Sequence, residues 1–218
     1  MVMYKEKDES VNETGAPVQY NIALKSNYLF IRRYLDLILI IMSIPIVIPL
    51  FIFVAIILLF HFRGNIFYTQ KRAGYLGEPF TMYKFRTMID CSSEDENFLV
   101  PCNERVTKLC AFLRRHRIDE IPQIYNVFMG DMSLIGPRPE VYFHYEYFSE
   151  KIQSYKLRKI IPQGISGWAQ VNYPHTFTLD ETIEKLNYDL IYIKNLSFKL
   201  DLIIAFKTII QMFTGKNS

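Results

Sequence analysis

Residues 37–60 carry no charged side chain, and Ser43 supplies the only hydroxyl among them. As an α-helix this run would reach about 36 Å at 1.5 Å per residue, longer than the hydrocarbon core of a bilayer. A soluble domain seldom buries so long an unbroken apolar run. Two features argue against a simple span. Pro45 and Pro49 fall mid-run, where each deletes a backbone donor and pushes the helix to break. Cations flank both ends, Arg32 and Arg33 before it and Arg63, Lys71 and Arg72 after it, which draws both ends to the cytoplasmic face. On these residues alone a span and a re-entrant hairpin both stay open.

The rest of the chain reads as one catalytic domain over 63–213, between a polar N-terminal tail (1–30) and a short C-terminal tail (214–218). No cleavable signal is expected, because the apolar run starts too late and is too long. Gln70 to Met88 predicts a β-hairpin: Gly74 and Gly77 make the turn, then Phe80, Met82 and Phe85 follow in partial alternation. Glu104 to Arg115 predicts a helix with Val106, Leu109, Cys110 and Leu113 on one face. The tyrosine-rich segment 140–159 suits either a lipid interface or a core, and Phe198 to Phe213 predicts an amphipathic helix. The fold class is therefore α+β and mainly helical, with a membrane helix, a β-hairpin and interfacial amphipathic helices. A net charge of +3 is too weak to argue for nucleic acid. Cys91, Cys102 and Cys110 are odd in number and lack metal-ligand spacing, as reduced thiols in a cytosolic domain would.

The chemistry concentrates between Arg114 and Glu140. There two adjacent carboxylates, Asp119 and Glu120, lie between Arg114, Arg115 and Arg117 on one side and Gly136-Pro137-Arg138-Pro139 on the other. Helical spacing of Ile121, Ile124, Tyr125 and Phe128 predicts a helix from about Asp119 to Met129, capped by Asp119 and ended by Gly130. An anion approaches a carboxylate only where cations neutralise it, and a carboxylate can accept a phosphoryl group covalently. A plain cap paired with surface arginines is the competing reading of the bare Asp-Glu pair.

The pattern RxxxxDEIPQxxNVxxGDMSLIGPRP resembles the signature of the bacterial sugar transferases, the monotopic phosphoglycosyl transferases. QKRAGYLGEPFTMYKFRTM (70–88), GISGWAQVN (164–172) and YDLIYIKNLSFKLDL (188–202) resemble further blocks of that family, in order. The resemblance implies a re-entrant helix over 31–62, broken at Pro49 with Pro45 beside it, and a catalytic domain on the cytoplasmic face of the bacterial inner membrane. It also implies transfer of sugar-1-phosphate from a UDP-sugar to polyprenyl (undecaprenyl) phosphate, which initiates polysaccharide or glycoconjugate assembly. Asp119 is then the nucleophile and Glu120 its partner; Arg114 and Arg138 bind phosphate; Asp119, Glu120 and Asp201 hold Mg²⁺, with Mn²⁺ as substitute. On the residues alone, Lys84 and Arg86 in YKFRTM face either the same phosphate-bearing anion as Arg114 or the lipid headgroups beside the hairpin. Membrane lipid and a second copy of the chain, as a homodimer, complete the expected partners. Pro162-Gln163-Gly164 and Tyr173-Pro174-His175 depart from the family pattern, and no uridine-contacting role is carried to His175. The rival readings are a silent membrane scaffold and a ternary-complex enzyme in which Asp119 only binds metal.

Overall fold

The computed structural model describes residues 26–88, 106–173 and 179–215. The N-terminal tail, the acidic segment at 89–105, His175 and the last three residues lie outside these ranges.

Helix α1, Ser26–Phe62, passes without interruption through both prolines, so the expected break is not met as a gap in the helix. The reason lies in what the helix rests on. Arg32, Asp36, Ile40, Val54 and Leu58 are its buried residues. At 100° per residue they fall within about 80° of one another, so one stripe persists on both sides of the prolines. Ser43 Oγ also takes the Ile40 carbonyl at 2.7 Å, just ahead of Pro45. The other faces stay bare: Met42, Ile46 and Phe53 are 71, 74 and 62% exposed. This is the one helix, among the described residues, that is long and apolar enough to cross a membrane.

Both ends of α1 are seated on the same body. Ile40 packs with Val127 and Met132, while Val54 and Leu58 pack with Ile66, Phe85 and Leu113. Arg32 donates to Ser133 Oγ (2.6 Å) and Tyr192 Oη (3.1 Å), and Arg33 caps the carbonyls of Val127 and Phe128. These two arginines, read from sequence as cations that draw this end of the run to the cytoplasmic face, weld α1 to the domain.

The hairpin forms as expected but begins earlier, with β1 (Phe67–Ala73) antiparallel to β2 (Pro79–Phe85) around a short 3₁₀ turn. Helix α2 (Lys108–Arg115) starts after Val106, at Thr107, whose side chain accepts from Cys110 N. Its successor α3 is shorter than expected, Gln123–Met129, and ends at Gly130 with φ +97°. Asp119 does not cap it. The residue lies in a 3₁₀ turn, Ile118–Glu120, because Arg117 takes a left-handed conformation (φ 54°) that reverses the chain, and Pro122 holds the cap position.

A second small sheet was not anticipated: β3 (Ser133–Ile135) runs parallel to β4 (Gly164–Ser166). Its contact is so close that a Cβ on Gly164 would sit 2.1 Å from Gly136 N, so only glycine fits there. Gln163, a departure noted above, donates to the carbonyls of Arg158 (2.7 Å) and Ile161 (3.1 Å) and fixes the approach to β4. Helices α4 (Tyr142–Lys151), α5 (Trp168–Asn172), α6 (Leu179–Lys194) and α7 (Phe198–Thr214) complete a mainly helical α+β architecture. The last core cluster joins Ile160, Ile161, Val171, Tyr192, Ile193 and Ile204. Helix α7 keeps Leu202, Phe206 and Phe213 exposed opposite it.

Candidate active site

Asp119 and Glu120 are both buried, at 8 and 7% exposure, although a carboxylate pair on a surface turn would ordinarily be solvated. Three separate elements supply their counter-charges. Strand β2 delivers Lys84, whose Nζ lies 2.9 Å from Glu120 Oε1. It does so because Asn126, fully buried in α3, stitches β2 in place: its Nδ2 donates to Thr81 O and its Oδ1 accepts from Tyr83 N. The turn after β3 delivers Arg138, whose Nη2 lies 2.7 Å from the same Glu120 oxygen. Helix α2 and its left-handed exit bring the charges of Arg114 and Arg117 to bear on the pair.

The two carboxyls are driven in opposite directions. Burial pushes Glu120 up, but Arg138, Lys84 and Arg117 outweigh it and hold the group well below the usual carboxylate range. Asp119 is pushed up to about 6, by burial first and by the adjacent Glu120 charge second. Asp119 also accepts no side-chain hydrogen bond among the described residues. Glu120 is thus a permanently charged, tethered partner, and Asp119 a carboxylate whose oxygens are uncommitted.

Cations outnumber acids here. Lys84, Arg114, Arg117 and Arg138 face two carboxylates, and Arg72 also feels the Glu120 charge. One Arg117 guanidinium nitrogen is buried without a partner, as is Glu120 Oε2. A positive surplus with unsatisfied donors suits an oxyanion such as a phosphate.

Other predicted residues lie elsewhere. Arg86 stacks over Phe62 at 5.0 Å and donates to Met88 O, at the end of α1 rather than on the dyad. Asp201 accepts from Tyr28 and from Tyr192 (2.6 Å) and lies 4.0 Å from Arg32, in the network that seats α1. Among the described residues no three His, Cys, Asp or Glu side chains gather as a metal site, so Asp201 does not join the dyad. The first turn of α7 places it against Tyr28 and Arg32 of α1 and Tyr192 of α6. Sequence reasoning missed Arg72, and also Arg158, Asp189 and Glu140 behind Arg138. Buried ion pairs leave no periodicity to find.

A family model described as bacterial sugar transferase matches residues 27–215. The chain is 40% identical over 191 residues to an Aeromonas hydrophila UDP-N-acetylgalactosamine-undecaprenyl-phosphate N-acetylgalactosaminephosphotransferase, covering 86% of this chain and 45% of that protein. It is 32% identical over 217 residues to a Klebsiella pneumoniae UDP-glucose:undecaprenyl-phosphate glucose-1-phosphate transferase, covering 98% and 47%. A Caulobacter vibrioides protein of the same description matches at 32% over 191 residues, covering 86% and 71%. The chain therefore spans about half the length of the first two relatives.

Proposed function

This chain belongs to the bacterial sugar transferase family, and we propose that it transfers sugar-1-phosphate from a UDP-sugar to undecaprenyl phosphate. One observation carries the reading: a buried carboxylate pair in which cations tether one member and leave the other uncommitted. An Asp119 carboxylate oxygen attacks the phosphorus that bears the sugar. The bond from that phosphorus to the UMP oxygen breaks, and UMP departs. A phosphate oxygen of the lipid acceptor then attacks the same phosphorus and displaces Asp119, giving undecaprenyl-diphosphate-sugar. Arg138, Arg114 and Arg117 stabilise the charge spread over the phosphoryl oxygens as each bond breaks.

With the donor's diphosphate bound and its charge offsetting the positive surplus, a divalent cation fits this site. Glu120 Oε2 lacks a partner and Asp119 is uncommitted, and Mg²⁺ is usually held by one or two carboxylates together with substrate phosphates. Asp119 and Glu120 would hold it, and when bound it offsets the charge of the diphosphate. EDTA treatment is expected to abolish UMP release and added Mg²⁺ or Mn²⁺ to restore it. Full activity after exhaustive chelation would leave neutralisation to the arginines alone.

The names of the relatives differ in the sugar, so the reading is tested by UMP release across a panel of UDP-sugars, with and without undecaprenyl phosphate. Radiolabelled phosphosugar should remain on the protein when the lipid is withheld; its absence would favour direct transfer between bound substrates. Because attack needs ionised Asp119, whose carboxyl burial and the Glu120 charge push up, kcat/KM should fall in acid and level off towards neutral pH. A flat profile between pH 5 and 8 would mean that another group limits the step.

Membrane seating follows from α1. Its bare apolar faces are unstable in water and match lipid, and both of its ends rest on one body. This supports a re-entrant arrangement in which the body and both helix ends share the cytoplasmic face. Single cysteines at Asn27 and Asn65, with Cys91, Cys102 and Cys110 replaced, should both resist an impermeant thiol reagent in intact cells and both react once the membrane is opened. Labelling at Asn27 alone in intact cells would indicate a true span.

A further inference from the structure

The turn from Gly136 to Glu140 carries Arg138 to Glu120, yet two of its five residues are prolines that cannot donate a backbone hydrogen bond. Consecutive carbonyls hold it instead. Pro137 O accepts from Gly164 N at 2.8 Å, and Glu140 O from Ala73 N at 2.9 Å. Between them two guanidinium groups grip the chain: Arg158 Nη2 donates to Arg138 O at 2.9 Å, and Arg72 Nη1 to Pro139 O at 3.1 Å. Arg158 is 3% exposed. Its Nε donates to Asp189 Oδ2 and its Nη1 to Tyr155 Oη, both at 2.8 Å. Glu140 Oε2 lies 3.8 Å from Arg158 Nη1 and from Lys185 Nζ.

A planar guanidinium spreads its donors over three nitrogens in a rigid fork, whereas an ammonium gathers three rotatable donors on one nitrogen. Buried ion pairs are weak sources of net stability, because desolvation offsets the attraction. The arrangement therefore fixes a geometry better than it strengthens a fold. We propose that Arg158, anchored by Asp189, is a positioning residue that fixes the backbone of Arg138, so that the Arg138 guanidinium meets Glu120 and the substrate phosphate in register. The proposal rests on the transferase reading and adds a residue that makes no contact with the dyad.

Two variants test it. Arg158→Lys keeps the charge opposite Asp189 but loses the fork. The double change Arg158→Met with Asp189→Asn removes both charges together, leaving none buried alone. Each should lower kcat by about a hundredfold, as a misplacement near 1 Å does, with KM for the UDP-sugar within about threefold of wild type. Introduced into an Arg138→Ala background, the double change should cost no more than about twofold, since both then act through one absent group. A second, independent hundredfold loss in that background overturns the proposal.

Hydrogen exchange gives a readout apart from turnover. The amides of Ala73, Gly136 and Gly164, whose hydrogen bonds tie this turn down, should exchange at least about tenfold faster in the double variant, while those of Thr81 to Phe85 keep their protection. Unchanged exchange at Ala73, Gly136 and Gly164 overturns the proposal whether or not the enzyme turns over. Failure of the wild type to release UMP from any donor would sink the transferase reading alone.

Discussion

Asp119→Asn should lower transfer by at least about a thousandfold, roughly 4 kcal/mol of barrier, while leaving the protein more stable than wild type. The two effects have one cause. Burial and the neighbouring Glu120 charge raise the Asp119 pKa from 3.8 to about 6, so its ionised form is held in the folded protein at a cost. A group whose folded pKa is raised favours folding while protonated, and that advantage is lost as pH rises through the folded value. Above about pH 6 the charge of Asp119 therefore subtracts up to about 3 kcal/mol, and asparagine abolishes the deficit. The stability gain should be full at pH 7.5 and fade as pH falls from about 6 to 4. Thermal melts across that range, beside UMP-release assays at pH 7.5, read both effects. More than about a tenth of wild-type turnover would exclude covalent attack by Asp119. A variant several kcal/mol less stable than wild type would make Asp119 a structural partner rather than a strained nucleophile.

How far the sequence foretold this site depended on the physical range of each signal. The adjacent Asp119 and Glu120, the hairpin that presents Lys84 and the rigid turn that presents Arg138 are all local features. Alternation, turn chemistry and a proline pair mark them in the chain itself. Asp119 as a helix cap was misread, because Arg117 adopts a left-handed conformation that a non-glycine residue rarely takes. Long-range pairings left no trace. Ser133 with Gly164, Arg158 with Asp189 and Arg32 with Ser133 are each fixed by three-dimensional packing. The arginines preceding the apolar run illustrate the limit well. Their sign predicts that both ends of the run share the cytoplasmic face but names no partner, whereas the fold commits Arg32 to Ser133 and Tyr192 and Arg33 to the carbonyls of Val127 and Phe128. Asp201 went the same way: a motif acid that could serve a metal is consumed in holding α1, Tyr28 and Tyr192 together.

Glu120→Gln should act on stability in the opposite direction from its neighbour, although the two residues share one turn. Glu120 Oε1 is the common acceptor for Lys84 at 2.9 Å and Arg138 at 2.7 Å, and all three groups are largely withdrawn from water. Removing the carboxylate charge leaves two buried cations with only a neutral oxygen between them, a loss of about 3–5 kcal/mol. Transfer should also fall at least about a hundredfold, because Arg138 loses the anchor that aims it at phosphate. The pH signature differs too. A depressed folded pKa contributes stability that is present above the unfolded value, near 4.5, and is lost as pH falls towards the folded one. The deficit of Glu120→Gln should therefore be constant from pH 8 to about 5 and shrink only in stronger acid, beginning about one unit below the pH at which the Asp119→Asn advantage starts to fade. Adding Lys84→Met should recover part of the lost stability by removing one stranded cation, yet recover no activity. If Glu120→Gln melts with the wild type at pH 7, Lys84 and Arg138 are hydrated in solution, and the division of labour between the two carboxylates loses its physical basis.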